Sequence, residues 1–299
     1  MIIPPFLNRN DAIGIVATAR GIALEEINPA ITILESWGLK PTVGKTIGLK
    51  DHQFAGSDAE RMEDLQQMLD DENIKAIILA RGGYGTVRII DDLDFTKFIQ
   101  QPKWVCGFSD ATVLHSHIIH NFRIATIHSE MLVNHHKAVA MESLRKALLG
   151  EELNYQISSN PSNKKGIAEG IIIGGNLSLI YSLAGTASDI DTDEKILFLE
   201  DLDEYLYHVD RMMMNLKRSG KLAYLQGLIV GSMTEMKDNK IPFGKTAEEI
   251  ILDAVKEYDY PVCFGFPAGH ITENNAMILG GAARLEVGDS IKLNYKIKP

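Results

Sequence analysis

The chain has 299 residues, of which 45% are hydrophobic and 23% charged, a composition that excludes a disordered chain and supplies one large core or two ordinary ones. A formal net charge of -10 argues against nucleic acid or an anionic membrane surface as partner, because phosphate binding needs clustered Lys and Arg. The two cysteines, Cys106 and Cys263, each lie in a short apolar run and read as buried thiols, since a disulfide framework or a zinc site needs more cysteines at tighter spacing.

The chain starts without a basic segment leading into an apolar one. Its best apolar stretch, Ile171 to Leu183, is interrupted by Gly174, Gly175 and Asn176, so no bilayer span is expected and a cytoplasmic protein is. Ala12 to Ala17 reads as a buried strand. Glu25 to Trp37 carries apolar residues at helical spacing, and Lys40 to Val43 is a second short strand. Asp58 to Asp70 is an amphipathic helix with Ser57 placed to cap it. Ala76 to Leu79, Trp104 to Phe108 and Ile124 to Ile127 are further strands. A helix over Asp110 to Ile119 separates the last two. Near-continuous apolar strands alternating with helices predict a parallel sheet covered on both faces, in a flavodoxin- or Rossmann-like α/β domain over residues 1–157. A helix over Val139 to Leu149 and the polar stretch Ser158 to Lys165 then break the rhythm. Residues 158–165 have linker composition.

Residues 166–299 read as a C-terminal α+β domain. Gly166 to Ile173, Ile196 to Leu199, Leu228 to Val230 and Val262 to Phe264 are predicted strands, and Val209 to Ser219 and Thr246 to Tyr258 predicted helices. Three short runs close the chain: Met277 to Leu279, Ala283 to Val287 and Ser290 to Tyr295. Their Gly-containing turns suggest a strand-rich, barrel-like sheet.

Four segments carry chemistry. In Gly107-Phe108-Ser109-Asp110-Ala111 a serine stands at a strand-to-helix turn, which projects its hydroxyl from the sheet end and aims the next N–H at the same space. Position 111 is Ala where the nucleophile elbow has Gly, and an ordinary helix N-cap would look the same. Ala80-Arg81-Gly82-Gly83-Tyr84-Gly85 follows a buried strand. Its glycines let backbone N–H groups approach a ligand, and Arg81 can hold a carboxylate by two bonds; a tight turn with a surface Arg is the plain alternative. Glu200-Asp201 closes an apolar strand, where a carboxylate can orient a histidine or merely punctuate the strand. His270 follows Phe266-Pro267-Ala268-Gly269 in a loop and can act as a general base or be simply solvated. His115, His117 and His120 fall on one helix, and His135-His136 are adjacent. No His-Glu-x-x-His pattern occurs and no metal site is expected. Met212-Met213-Met214 reads as packing.

Those segments, together with Gly174-Gly175-Asn176-Leu177-Ser178-Leu179, Asp210-Arg211-Met212 and Leu279-Gly280-Gly281, resemble in order and spacing the L,D-carboxypeptidase family, which also contains the microcin C self-immunity proteins. The resemblance implies a serine peptidase with Ser109 as nucleophile, His270 as base and Glu200 orienting the imidazole, in a cleft between the two domains. For such a mechanism the oxyanion is expected at the N–H groups of Asp110 and of the glycine loop at Gly83, with Arg81 and Tyr84 as candidate substrate-binding residues. The resemblance further implies removal of a terminal D-alanine from muropeptide tetrapeptides in peptidoglycan recycling, a small-peptide partner, no cofactor and a homodimer. Microcin-immunity members carry a tryptophan on a loop between domains. Here the tryptophans are Trp37 and Trp104, with Tyr155 the aromatic that could replace one in the Asn134 to Gly170 stretch. The alternatives are therefore cleavage of peptidyl or aminoacyl nucleotides and, from another class, an α/β esterase built on a single sheet.

Overall fold

The computed structural model describes residues 1–296. The first half runs β1 (Ala12–Val16), α1 (Leu24–Ser36), β2 (Lys40–Val43), α2 (Asp58–Asp70), β3 (Ile74–Leu79), α3 (Thr96–Gln100), β4 (Trp104–Gly107), α4 (Thr112–Phe122) and β5 (Thr126–His128). These strands pair in parallel in the order β2-β1-β3-β4-β5, a flavodoxin-like arrangement in which direction reverses between β1 and β3, with ligands expected beyond the carboxyl ends of the strands. Helices cover both faces, so β3 and β4 are apolar almost throughout and buried: Ile77, Ile78, Leu79, Trp104 and Val105 are all sealed from solvent. Ser57 caps α2 as expected: its hydroxyl accepts the Glu60 N–H at 3.2 Å while Glu60 takes the Ser57 N–H at 2.8 Å.

The remainder comprises α5 (Ala138–Leu149), β6 (Asn154–Ser158), β7 (Gly166–Asn176), α6 (Leu177–Leu183), β8 (Lys195–Leu202), α7 (Leu206–Arg218), β9 (Gly227–Thr234), α8 (Ala247–Val255), β10 (Val262–Cys263), β11 (Met277–Leu279), β12 (Ala282–Val287) and β13 (Ser290–Tyr295). Seven of these strands form a second sheet, β10-β9-β8-β7-β12-β13-β6, parallel from β10 to β7 and antiparallel beyond. A reciprocal backbone bridge, 3.0 Å in each direction, ties Lys164, two residues before β7, to Val262 of the edge strand β10.

The chain does not give each sheet a continuous stretch of sequence. β6 precedes the polar segment 158–165 yet pairs with β13 in the second sheet, Ile157 opposite Ile291. β11 comes from the far end of the chain but is antiparallel to β5 in the first sheet, Ile278 opposite Ile127. Two tyrosines clasp β11: the Tyr155 hydroxyl donates to Ala276 O at 2.6 Å, and the Tyr295 hydroxyl accepts the Ile278 N–H at 2.9 Å. α6, which the interrupted apolar run did not signal, starts directly on the last residue of β7. Asn176 caps it by accepting the Leu179 N–H at 3.3 Å. The start of α4 meets this junction, where Thr112 Oγ1 accepts the Asn176 N–H at 3.0 Å. Cys106 and Cys263 are both buried, and burial raises both thiols, Cys263 to about 12.

Ile278 is only 3% exposed within the first core. An Ile278→Ala substitution is expected to destabilise the protein by about 2–5 kcal/mol through lost burial and the cavity left behind. Urea unfolding followed by far-UV circular dichroism measures this, and the interleaved strands predict a single transition rather than two.

Candidate active site

Ser109 stands two residues past Gly107, the last residue of β4, and begins a short 3-10 turn, Ser109–Ala111, that leads into α4. Its φ is +59°, a left-handed conformation that disfavours a side chain by about 1–3 kcal/mol and persists only where the surroundings enforce it. They do so at Gly107, whose carbonyl accepts the Ser129 N–H at 3.0 Å and faces His115 Nε2 at 2.9 Å. The Asp110 N–H lies in the first turn, where helical amides lack an internal partner.

The glycine loop after β3 is pinned against this turn. Asp110 Oδ2 accepts the Thr86 N–H at 2.8 Å, the Thr86 and Thr18 hydroxyls are 2.7 Å apart, and the buried Arg61 donates to Gly85 O at 3.0 Å. Burial pushes the Asp110 carboxyl upward, opposed by the bonds from Thr86 and Gly85 and the charge of Arg61. Gly82 sits closest to the serine: a Cβ there would lie 3.5 Å from Ser109 Oγ and 3.0 Å from the Met131 methyl. Gly83 follows with φ +122°, and a Cβ there would fall 2.6 Å from the Arg20 side chain.

The second half supplies Glu200 and His270. The β8–β9 register shifts between Leu199 and Asp201, a bulge that re-aims the Glu200 side chain. Glu200 is fully buried, and its Oε2 lies 2.7 Å from His270 Nδ1. A carboxylate can only accept, so Nδ1 carries the proton and Nε2 is left with its lone pair. Gly269, at φ +109°, makes this approach possible, since a Cβ there would fall 2.6 Å from Glu200 Oε2. Burial lowers the His270 pKa, but the Glu200 bond and charge, with Asp201 and Glu130 farther off, more than offset it and the net shift is upward. The His270 ring packs on Phe108, centroids 4.8 Å apart.

Ser109, His270, Arg81, Gly83 and Tyr84 all line one cleft of about 550 Å³ at the carboxyl end of the first sheet, within the usual range for a ligand site. Glu200 lies behind it. No hydrogen bond joins Ser109 to His270 among the described residues, and such bonds often tighten only when substrate is in place. Arg81 is loosely tethered, 3.5 Å from Gly21 O and 4.0 Å from Glu26, and Tyr84 is exposed at the rim. A larger cavity of about 670 Å³ opens at the amino end of the same sheet, between Pro5, Glu72 and Pro102. It lacks any pairing of serine and histidine.

Several cleft residues carry no motif that would have singled them out: Arg20, Met131 and Asn134 line the wall, beside Asn176 of the Gly174–Leu179 segment. The β7–β8 register sets Asn176 beside Glu200, and its amide donates to Asp201 Oδ1 at 2.9 Å. Burial and the adjacent Glu200 charge push Asp201 up to about 7, although it also accepts the N–H groups of Leu202 and Ser178. Behind the site, Asn274 Oδ1 accepts the Gly269 N–H at 2.7 Å and lies 3.0 Å from Nε2 of the buried His128, so that nitrogen is the donor and burial keeps the ring neutral. Tyr155 is withdrawn from the cleft, packed on Phe266. Trp104 is buried in β4, its indole N–H donating to Pro5 O at 3.0 Å.

Comparison with known proteins agrees with this architecture. The family models for the LD-carboxypeptidase N-terminal and C-terminal domains match residues 13–129 and 169–285. The probable murein peptide carboxypeptidase of Bacillus subtilis (strain 168) is 34% identical, over 96% of this chain and 92% of the relative. The crystal structure of muramoyltetrapeptide carboxypeptidase from Oxalobacter formigenes superposes with a TM-score of 0.87 at 27% identity, covering 96% of this chain and 99% of that one. The microcin C7 self-immunity protein in complex with aspartyl sulfamoyl adenosine shares the fold at a TM-score of 0.89 and 20% identity, over 99% of each chain. The molecule is thus a hydrolase, a carboxypeptidase of the serine type. It belongs to the LD-carboxypeptidase family, peptidase S66, through both of its domains.

The imidazole of His270 is expected to titrate above its ordinary value of 6.5 and to move down in Glu200→Gln, which keeps the hydrogen bond but removes the charge. Histidine signals followed by NMR across pH check this, and an unmoved titration would show that Glu200 does not govern the ring.

Proposed function

We propose that this enzyme removes the terminal D-alanine from muropeptide tetrapeptides, with Ser109, His270 and Glu200 performing acyl transfer. The observation that carries the reading is the 2.7 Å Glu200–His270 bond behind an imidazole that shares one cleft with a serine held at φ +59°. His270 Nε2 takes the Ser109 proton as Oγ attacks the carbonyl joining an L-centre to the D-residue. Glu200 fixes the tautomer and stabilises the imidazolium. The N–H groups of Asp110 and Gly83 receive the oxyanion. The C–N bond then breaks, His270 returns its proton to the departing amine, and water, activated by the same ring, releases the shortened peptide. Arg81 offers its guanidinium to the substrate's terminal carboxylate.

The names of the relatives support a murein peptide, and the cleft supports it over a nucleotide-bearing toxin. Tyr155, the aromatic that could have stacked on a base, is committed elsewhere, its hydroxyl on Ala276 O and its ring on Phe266. The two-sheet architecture departs from the single sheet of an α/β esterase. A role in peptidoglycan recycling follows from the substrate class.

Incubation with a muropeptide tetrapeptide should release D-alanine, and Ser109→Ala should abolish that release. Release that survives the substitution would remove Ser109 from the mechanism. The base must be neutral, and the raised pKa keeps His270 protonated to higher pH than a free imidazole. The kcat/KM profile should therefore fall on its acid side at a pH above 6.5. Arg81→Ala should lower kcat/KM on the tetrapeptide by about 10- to 100-fold, the worth of a charge-assisted carboxylate contact. Unchanged efficiency would take the terminal carboxylate away from Arg81.

A further inference from the structure

Lys137 stands just before α5 in the first half of the chain, and Ile271 follows His270 in the second. The two meet: Lys137 Nζ donates to Ile271 O at 3.0 Å and to Glu130 Oε2 at 2.8 Å. Glu130 is sealed from solvent, and the Lys137 side chain is only 16% exposed. The other Glu130 oxygen accepts the Met131 N–H at 3.1 Å and the Asn134 amide at 2.9 Å, and Met131 and Asn134 form the cleft wall. Immediately before Glu130, the Ser129 N–H is bonded to Gly107 O at 3.0 Å, two residues from the serine. One carboxylate and one ammonium therefore connect the nucleophile turn, the wall beside it and the loop that carries His270.

Burying such a pair is costly, and mutual attraction only roughly offsets the lost hydration. What it adds is a fixed geometry. Glu200 holds the imidazole from behind through Nδ1, which still allows the loop to swing about that bond. The Lys137 contact fixes the backbone on the far side of His270 and refers it to the half of the molecule that bears Ser109. We propose that Lys137, held by Glu130, is a positioning residue that clamps the Ile271 carbonyl and so keeps the His270 imidazole in register with Ser109 across the cleft. The proposal rests on the acyl-transfer reading above.

Lys137→Met keeps the length of the side chain and removes its donors. A serine-directed fluorophosphonate provides a readout independent of the peptide substrate. The Ser109 Oγ–P bond forms, the P–F bond breaks, fluoride leaves and His270 takes the hydroxyl proton. Wild type should label. Lys137→Met should label about 10- to 100-fold more slowly, the usual effect of a reacting group displaced by about 1 Å. Its kcat on tetrapeptide should fall in parallel while KM moves less than about threefold, the pattern of an interaction made only in the transition state. Lys137→Arg, which retains charge and donors, should recover most of the rate. The double variant Lys137→Met with Glu130→Gln leaves no stranded buried charge and carries the test if the single variant does not fold. Slow labelling with a melting temperature restored toward wild type supports positioning. Wild-type labelling in either the single or the double variant overturns it. Wild type that does not label at all overturns the acyl-transfer reading itself, and this proposal with it.

Discussion

A carboxylate sealed from water is tolerated only when its charge is answered, and at Glu200 the answer is His270, 2.7 Å away. Much of the surrounding structure serves that contact. The β8–β9 bulge turns the side chain toward the loop, Gly269 lets the loop backbone come close, and the parallel register with β7 puts the Asn176 amide on the other side, 3.4 Å from Glu200 Oε1. The same dry surroundings that make the bond strong make it indispensable, since removing either partner would strand the other. Asp201, next along the strand, accepts only neutral N–H donors, and burial together with the neighbouring Glu200 charge raises its carboxyl to about 7.

The site is divided between two sheets, so its geometry depends on how the sheets are joined. They are joined by several kinds of contact. Thr112 at the start of α4 accepts the N–H of Asn176, β11 crosses into the first sheet, Tyr155 and Tyr295 clasp it, and Lys137 reaches the loop after His270. Hydrogen bonds of fixed direction resist sliding better than an apolar face does, which suits a reaction in which an attacking hydroxyl and its base sit on different halves.

Local patterns made the first half legible. Strands such as Ile74–Leu79 are largely apolar because both faces are covered, and one of the helices between them, α2, carries a clear cap in Ser57. Ser109, Glu200 and His270 were readable as candidates because each stands at a strand end or glycine-bearing loop, where side chains leave the core. β6 was not readable. Asn154-Tyr155-Gln156-Ile157-Ser158 alternates exposed and half-buried positions and contains polar residues, so it lacks the apolar run that marks a covered strand. β11 was visible as a strand but its partner was not, because Met277-Ile278-Leu279 would be buried in either sheet. Glu130, Lys137, His128 and Asn274 belong to no motif. Their significance arises from contacts spanning 134 residues in one case and 146 in another, which local spacing does not encode.

The position of β11 also bears on how the chain acquires its structure during synthesis. The first sheet has all its parallel strands once β5 has been made, but β5 remains an open edge until residues 277–279 leave the ribosome, roughly half the chain later. An uncovered strand edge is a template for wrong pairing. Domain-by-domain folding, the usual route for a chain of this size, is therefore closed to this one in its simplest form. The first sheet is completed only when the far end of the protein arrives to pair with β5.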